Sequence, residues 1–263
     1  MTTAVPDSLA RAPQSRRFGS LPMPVLAGIA AAWVAAIAAQ AAGAAALVHH
    51  DALLVDGPSP VLATLVFLLA WQVMIAAMML PSSLPLVRLF AKASSRAPAR
   101  GKMMAAFLGG YALVWSAFGL VAFGLDAGLH AAVDASPWLH RHEWAIGGSV
   151  LALAGAFQFT PLKDACLDKC RHPAQFLTRY YRRGAGGAFE LGAHHGAFCV
   201  GCCWALMLVL FAAGMASVLW MAALTALMIH EKTRPTGAQA VPVSGVALLA
   251  TASVVLAYGA SAA

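Results

Sequence analysis

Charged side chains are scarce in this chain. Aspartate, glutamate, lysine and arginine together make up only 10% of its 263 residues, whereas 61% of the residues are apolar. So few charges cannot cover the surface of a water-soluble domain of this length. The intervals between the long apolar runs are also too short to hold a soluble domain. The composition therefore predicts an integral membrane protein whose solvent is the lipid bilayer.

Motifs of the common hydrolytic enzymes are missing as well. The chain has no Walker-type phosphate loop, no His-Glu-x-x-His run and no credible Ser/His/Asp order. The glycine-rich stretch Gly184 to Gly187 is typical of a flexible loop and not of a nucleotide fingerprint. We therefore expect a binding or handling role in preference to hydrolytic catalysis, and no catalytic residue is predicted.

The positive net charge does not indicate a nucleic-acid partner. The formal charge is +7, but the basic residues fall into short clusters between apolar runs. That distribution is the one that orients membrane proteins and holds short loops against anionic lipid. The bilayer is the expected partner, and no nucleic acid is.

Apolar runs of the length that a membrane helix needs recur along almost the whole chain. A helix needs about 20 residues to cross the hydrocarbon layer, and the longest run is about twice that length, so we divide it near Gly214. The predicted crossings are Pro22 to Val48, Val61 to Val87, Met103 to Leu125, Trp144 to Leu162, Gly192 to Gly214, Met215 to Ile229 and Val241 to Ala263. The predicted fold is an all-α, polytopic transmembrane bundle of about seven spans over residues 21–263, after a polar cytoplasmic tail over residues 1–20.

The charges of the loops predict the orientation of these spans. With a cytoplasmic N-terminus and seven crossings, all of the 17 Lys and Arg except Arg141 lie in inner segments, as the positive-inside rule requires. The outer loops collect five acids and five histidines. Acids and histidines are ordinary in outer loops, and we prefer this interpretation because no spacing among these residues fixes the geometry of a metal site. Metal capture at this face is the alternative.

All five cysteines lie in one region of the chain, and three of them share a helix face with a histidine. At about 100° per residue, the side chains of His195, Cys199, Cys202 and Cys203 fan over roughly 100° of one face. Cys166 and Cys170 are four residues apart and share a face of the preceding helix. Both groups lie towards the cytoplasm in the predicted topology, so they can meet.

Methionines of the second span extend this set of soft ligands. Met74 and Met78, with Met79, precede Pro81, which removes a backbone hydrogen bond and frees the carbonyl of Ala77. Thiolate, thioether and imidazole together favour Cu(I), and are also compatible with Zn.

Two further roles for the cysteines stay open. Cysteine behaves as a small buried hydrophobe and methionine fills irregular cores, so the residues can serve packing alone in a scaffold protein of the envelope. Alternatively, the thiols cycle or the metal centre exchanges electrons, in a membrane redox protein or an assembly factor of the respiratory or envelope machinery. A disulfide framework is not expected, because cysteines on the cytoplasmic side stay reduced.

Three segments carry a resemblance to a known family. They are the run from Thr160 to Leu177 with its two cysteines, the His-Gly-x-x-Cys-x-Gly-Cys-Cys-Trp run from His195 to Trp204, and the Met-Met-Leu-Pro-Ser run from Met78 to Ser82, with Glu231 and Lys232 closing a later span. Together they resemble a bacterial family of integral membrane proteins, a domain of unknown function for which metal binding is predicted. The resemblance implies a multi-pass protein of the cell inner membrane.

These observations lead to one principal hypothesis. The chain is expected to bind a soft transition metal, with copper favoured, at a site of His195, Cys199, Cys202 and Cys203. Cys166, Cys170, Met74 and Met78 are the expected supporting or relay ligands. The protein would handle, deliver or transport the metal, with a metal chaperone or a metalloenzyme as its partner.

Overall fold

The protein is described by a computed structural model that covers residues 22–44, 59–213 and 217–262. Every regular element in these ranges is a helix. In chain order the helices are α1 (Met23–Ala41), α2 (Pro60–Ala93), α3 (Arg100–Ala135), α4 (Pro137–Arg141), α5 (Glu143–Phe157), α6 (Pro161–Arg171), α7 (Pro173–Tyr180), α8 (Gly184–Ala213), α9 (Val218–Thr233) and α10 (Gly237–Ala262). The expected polar tail, the His49–His50 loop and the division at Gly214 lie outside the described residues.

Five of these helices are long and apolar enough to cross a membrane: α1, α2, α3, α8 and α10. The all-helical fold and the presence of several such helices agree with the sequence prediction. Helices α5 and α6 pass the same test only as a pair, and they meet at an angle of 65°. Helix α9 has 16 residues, fewer than the about 20 that a straight crossing needs.

The bend between α5 and α6 has a local cause. Pro161 occupies the first turn of α6, where proline is favoured because its missing N–H is not needed. Thr160 caps this turn, with its hydroxyl accepting a hydrogen bond from the backbone N–H of Lys163. A new helix therefore starts at residue 161 in a new direction, so that the cysteines of α6 leave the line of α5.

Helix α8 is the centre of the bundle and packs against α3, α5, α6 and α9. Glycines allow the closest of these approaches, as is usual between membrane helices. A Cβ atom added at Gly192 would collide with the backbone carbonyl of Phe107 on α3, and one added at Gly110 would collide with that of Phe189 on α8. The close packing of α3 on α8 brings Tyr111 to the cysteines.

Pro81, one of the two prolines inside α2, leaves a carbonyl that a neighbouring helix satisfies. Pro81 cannot donate to the carbonyl of Ala77, and that oxygen instead accepts a hydrogen bond of 2.9 Å from the indole N–H of Trp33 on α1. Ser82 in turn donates to the carbonyl of Met79 at 2.9 Å. The predicted free carbonyl is thus used to join α1 to α2.

Candidate metal centre

The three cysteines of α8 lie in a single turn and are fully buried. Their side chains are at most 1% exposed. The thiols of Cys202 and Cys203 both lean back along the helix and donate to the carbonyl of Cys199, at 3.2 and 2.7 Å. All five cysteines of the chain are free thiols. This turn therefore concentrates sulfur in the apolar interior of the bundle.

Helix α6 brings a fourth thiol to this turn. The Sγ atoms of Cys170 and Cys202 are 4.0 Å apart, and both are buried. One turn earlier, Cys166 lies directly against α8 at Gly201, where an added Cβ would come within 2.6 Å of the Cys166 sulfur. Both cysteines of α6 thus face α8, and the two segments are neighbours as a shared site requires.

Helix α2 contributes a thioether to the cysteines of α8. The Sγ of Cys203 is 3.8 Å from the Sδ of Met79. Met74 and Met78 are buried in the same cluster of side chains, but it is Met79 that makes the sulfur contact. Met79 belongs to the methionine run seen in the sequence, although it is not among the predicted ligands.

His195 is buried near the thiols but faces a different group. Its Nε2 lies 3.0 Å from the hydroxyl of Ser83 on α2, and its ring stacks on that of Tyr111, with centroids 5.5 Å apart. Its Nδ1 is buried without a hydrogen-bond partner in the described part of the chain. His195 precedes Cys199 by four residues, so its imidazole lies about one helical turn before the thiol of Cys199.

Two residues outside the predicted ligand set contact Cys199. The ammonium of Lys232 on α9 lies 3.2 Å from the sulfur of Cys199 and donates to the hydroxyl of Ser82 at 3.1 Å. The hydroxyl of Tyr111 is also 3.2 Å from this sulfur. The charge pattern predicts Lys232 to lie in an inner loop, yet it is only 5% exposed. The only signal in the sequence is a Glu-Lys pair at the end of an apolar run.

A buried ion pair fixes α6 and α9 beside the cysteines. The ammonium of Lys163 lies 2.7 Å from a carboxylate oxygen of Glu231, and these side chains are 0% and 2% exposed. The second carboxylate oxygen accepts from Ser244 of α10 at 3.3 Å, and the backbone carbonyl of Glu231 accepts from Arg171 at 2.7 Å. These contacts hold Cys170 and Lys232 on the same side of α8.

The sulfur atoms are spaced in pairs. Across the described ranges, no three His, Cys, Asp or Glu side chains are grouped closely enough to hold a metal ion. The Cys170–Cys202 separation of 4.0 Å nevertheless suits a single soft ion. With metal–sulfur bonds of about 2.3 Å, two sulfurs bound to one ion are about 3.8 to 4.6 Å apart, depending on the bond angle. The donor type and the spacing therefore both fit a soft metal held by two sulfurs.

Comparison with known proteins gives one family. A family model described as PpoB2, copper chaperone, matches residues 68–255. This range is most of the chain and includes every sulfur atom described above. No curated protein and no solved structure matches the chain. The match agrees with the metal-related part of the resemblance seen in the sequence.

Proposed function

This chain belongs to the copper chaperone family PpoB2, and from that premise we propose that it receives one Cu(I) ion at the buried thiols of α6 and α8 and passes the ion to a protein partner. Copper is the cargo in this proposal and not a resident cofactor. The observation that carries it is the 4.0 Å contact between the sulfurs of Cys170 and Cys202, which come from different helices and are closed off from water.

The chemistry of the donors favours Cu(I) over harder ions. Thiolates and thioethers are soft ligands, whereas Mg and Ca take oxygen ligands. The buried carboxylate of Glu231, which precedes Lys232 on α9, is occupied by Lys163 and Ser244. Zn shares a preference for thiolates, but a tetrahedral zinc site needs four donors around one ion.

A pair of donors also suits delivery. An ion with two ligands has free coordination positions, so a partner's ligand can bind before the first ligands leave. The contact between Cys203 and Met79 offers a second sulfur pair beside the first on α8. We propose that copper enters at Cys170 and Cys202 and passes to Cys203 and Met79. Through its contact with Ser83, His195 holds α2, the helix that carries Met79, against α8.

The membrane setting belongs to the same proposal. Five apolar helices of sufficient length, together with the bent pair α5 and α6, support a multi-pass protein of the cell inner membrane. The clusters of basic residues support a cytoplasmic N-terminus. The partner would be a soluble metal chaperone or a metalloenzyme that takes copper at the membrane.

Anaerobic titration of the detergent-purified protein tests the function. Cu(I) is added in competition with a chromophoric Cu(I) chelator, and we expect one tightly held ion per chain. Serine at both Cys170 and Cys202 should weaken binding by about tenfold or more. Met79→Leu should also weaken it, whereas Met221→Leu, a buried methionine of α9, should not.

Two results would contradict the proposal. One is a Cys170→Ser/Cys202→Ser protein that folds normally and binds Cu(I) as tightly as the wild type. The other is a wild type that retains no copper but whose thiols change their labelling with the redox potential, because that behaviour is expected of a thiol redox protein.

A further inference from the structure

Buried methionines surround the cysteine turn, and the proposed copper path uses only one of them. Six of the eleven methionines of the chain lie in the same buried cluster as the cysteines, each at most 5% exposed: Met74, Met78, Met79, Met207, Met221 and Met228. Met79 is the one that contacts Cys203. The other five are also thioethers, which are soft metal donors, and the thiol pairs give them no role.

Helices α2 and α9 run in the same direction beside the cysteines. His195 of α8 meets Ser83 of α2. Farther along α8, Cys203 meets Met79, which comes earlier on α2, so these two helices are antiparallel. Helix α9 follows α8 after a short connection, and near its end Lys232 returns to the cysteine turn of α8. Helix α9 is therefore antiparallel to α8 as well, and parallel to α2.

This arrangement puts Met78 of α2 opposite Met228 of α9. The two helices pack together, and they touch where the ammonium of Lys232 donates to the hydroxyl of Ser82 at 3.1 Å. Met78 precedes Ser82 by four residues, and Met228 precedes Lys232 by four residues. Residues four apart in a helix share a face and are about 6 Å apart along the axis. Both methionines therefore lie one turn from this contact on the facing sides of α2 and α9, and both are 0% exposed.

Met78 also adjoins the proposed copper path. It directly precedes Met79, the thioether partner of Cys203, and is about 100° around α2 from it. Met74, one turn earlier on α2, shares the face of Met78 and is buried in the same cluster. The thioethers of α2 thus extend from the side that faces Cys203 to the side that faces Met228.

We propose that Met78 and Met228 form a second Cu(I) site, made of thioethers alone, beside the thiol site. Met74 is the third thioether within one turn of the pair. A site of this kind takes Cu(I) or another soft monovalent cation such as Ag(I). This inference rests on the proposed function, because it gives copper its next position after Cys203 and Met79.

The donors give this site two properties that distinguish it from the thiols. A thioether carries no proton, so that binding releases none and is independent of pH, whereas a thiol must lose its proton to bind a metal. A thioether is also neutral, so the bound ion keeps its full charge in the interior, one turn from the ammonium of Lys232. Because like charges repel strongly in a medium of low dielectric, the site holds copper more weakly than the thiols do. Weak retention suits a position that the ion enters and leaves again.

Anaerobic Cu(I) titration of the full-length, detergent-purified protein against chelators of two strengths tests the second site. We expect a tight first equivalent and a weaker second one, whose affinity changes by less than about twofold between pH 6 and 8. Met78→Leu and Met228→Leu nearly conserve side-chain volume. Each should weaken the second equivalent by about tenfold or more and leave the first unchanged. Met103→Leu is the matched control, because Met103 is also buried but belongs to a different cluster, and it should bind both ions as the wild type does.

Methyl NMR of protein labelled at the methionine methyl groups identifies the ligands directly. Addition of a second equivalent of Ag(I) to the wild type should shift the resonances that are missing from the spectra of Met78→Leu and Met228→Leu. The resonance that is missing from the spectrum of Met103→Leu should stay in place.

The outcomes separate this inference from the proposed function. A wild type that binds one Cu(I) ion and no second one overturns the methionine site and leaves the proposed function intact. A second equivalent that both leucine variants bind as tightly as the wild type does the same. A Cu(I) ion that Cys170→Ser/Cys202→Ser binds as the wild type does, but that Met228→Leu loses, would contradict the proposed function and support the methionine site.

Discussion

Replacing Gly110 by alanine should separate the two helices that form the wall of the cysteine site. A Cβ at this position would collide with the carbonyl oxygen of Phe189 and lie 2.9 Å from the backbone nitrogen of Ala193. Unstrained contacts between heavy atoms need about 3.5 Å. All of these neighbours are backbone atoms that cannot rotate away, so α3 and α8 must move apart.

The size of the effect follows from two opposing terms. Overpacking of a close-packed interior typically destabilises a protein by about 1–3 kcal/mol, whereas replacing a helical glycine by alanine contributes roughly 0.5–1 kcal/mol in the other direction. Gly109 is the matched control, because it precedes Gly110 on the same helix and an added Cβ there meets nothing within 4 Å. Gly109→Ala should therefore be neutral or slightly stabilising.

Thermal unfolding in detergent, followed by circular dichroism, measures the difference between the two variants. Both variants gain the same helix propensity, so we expect Gly110→Ala to be less stable than Gly109→Ala by about 1–3 kcal/mol, which corresponds to roughly 2–12 °C in Tm for a chain of this size. Equal melting temperatures for the two variants would refute the described packing of α3 on α8, and with it the position of Tyr111 beside Cys199.

Three further predictions concern the site and its support. Gly201→Ala would place a Cβ 2.6 Å from the sulfur of Cys166, so either the Cys166 side chain or α6 must shift. Cu(I) binding measured by chelator competition should weaken by up to about tenfold, and unchanged affinity together with an unchanged Tm would contradict the α6–α8 contact. Lys163→Met and Glu231→Gln should each destabilise the fold by about 3–5 kcal/mol, because each leaves a buried charge unpaired. In a double-mutant cycle, the double variant should recover much of this loss. Additive losses would argue against the Lys163–Glu231 ion pair. Cu(I) affinity should rise with pH by up to about tenfold per unit for each proton released from a thiol. Titrations between pH 6 and 8 measure this, and a Cu(I) affinity that does not change with pH would exclude capture by protonated thiols.

Much of the helical architecture could be predicted from hydrophobicity alone. Long uncharged runs predict membrane-length helices, and the described residues form five of them. The predicted run Trp144 to Leu162 is cut at Phe157, because Pro161 starts a new helix in another direction. A hydropathy pattern does not contain that angle, and the bend is what presents Cys170 to α8.

The sulfur face was predictable because it depends on one local rule. Residues in a helix advance by about 100° each, which is enough to predict that Cys199, Cys202 and Cys203 share a side. The surroundings of His195 depend on a neighbouring helix, and the partner found there is Ser83. Spacing within one helix cannot predict contacts across the bundle.

The contact of Lys232 with the thiols was not predictable in the same way. A lysine after an apolar run ordinarily indicates a charge at the lipid headgroups. In the structure, α9 is short and its end is covered by α6 and α10, so the ammonium stays inside. The sequence offers only the neighbouring Glu231 as a clue. The structure shows that its carboxylate pairs with Lys163 in the interior, so this end of α9 is buried.

X-ray absorption at the copper edge of the Cu(I)-loaded, detergent-purified protein tests the central claim most directly. We expect a first shell of sulfur alone at about 2.3 Å, and its loss when Cys170 and Cys202 are both replaced by serine. A first shell dominated by nitrogen or oxygen, or one that survives this double replacement, would contradict the claim.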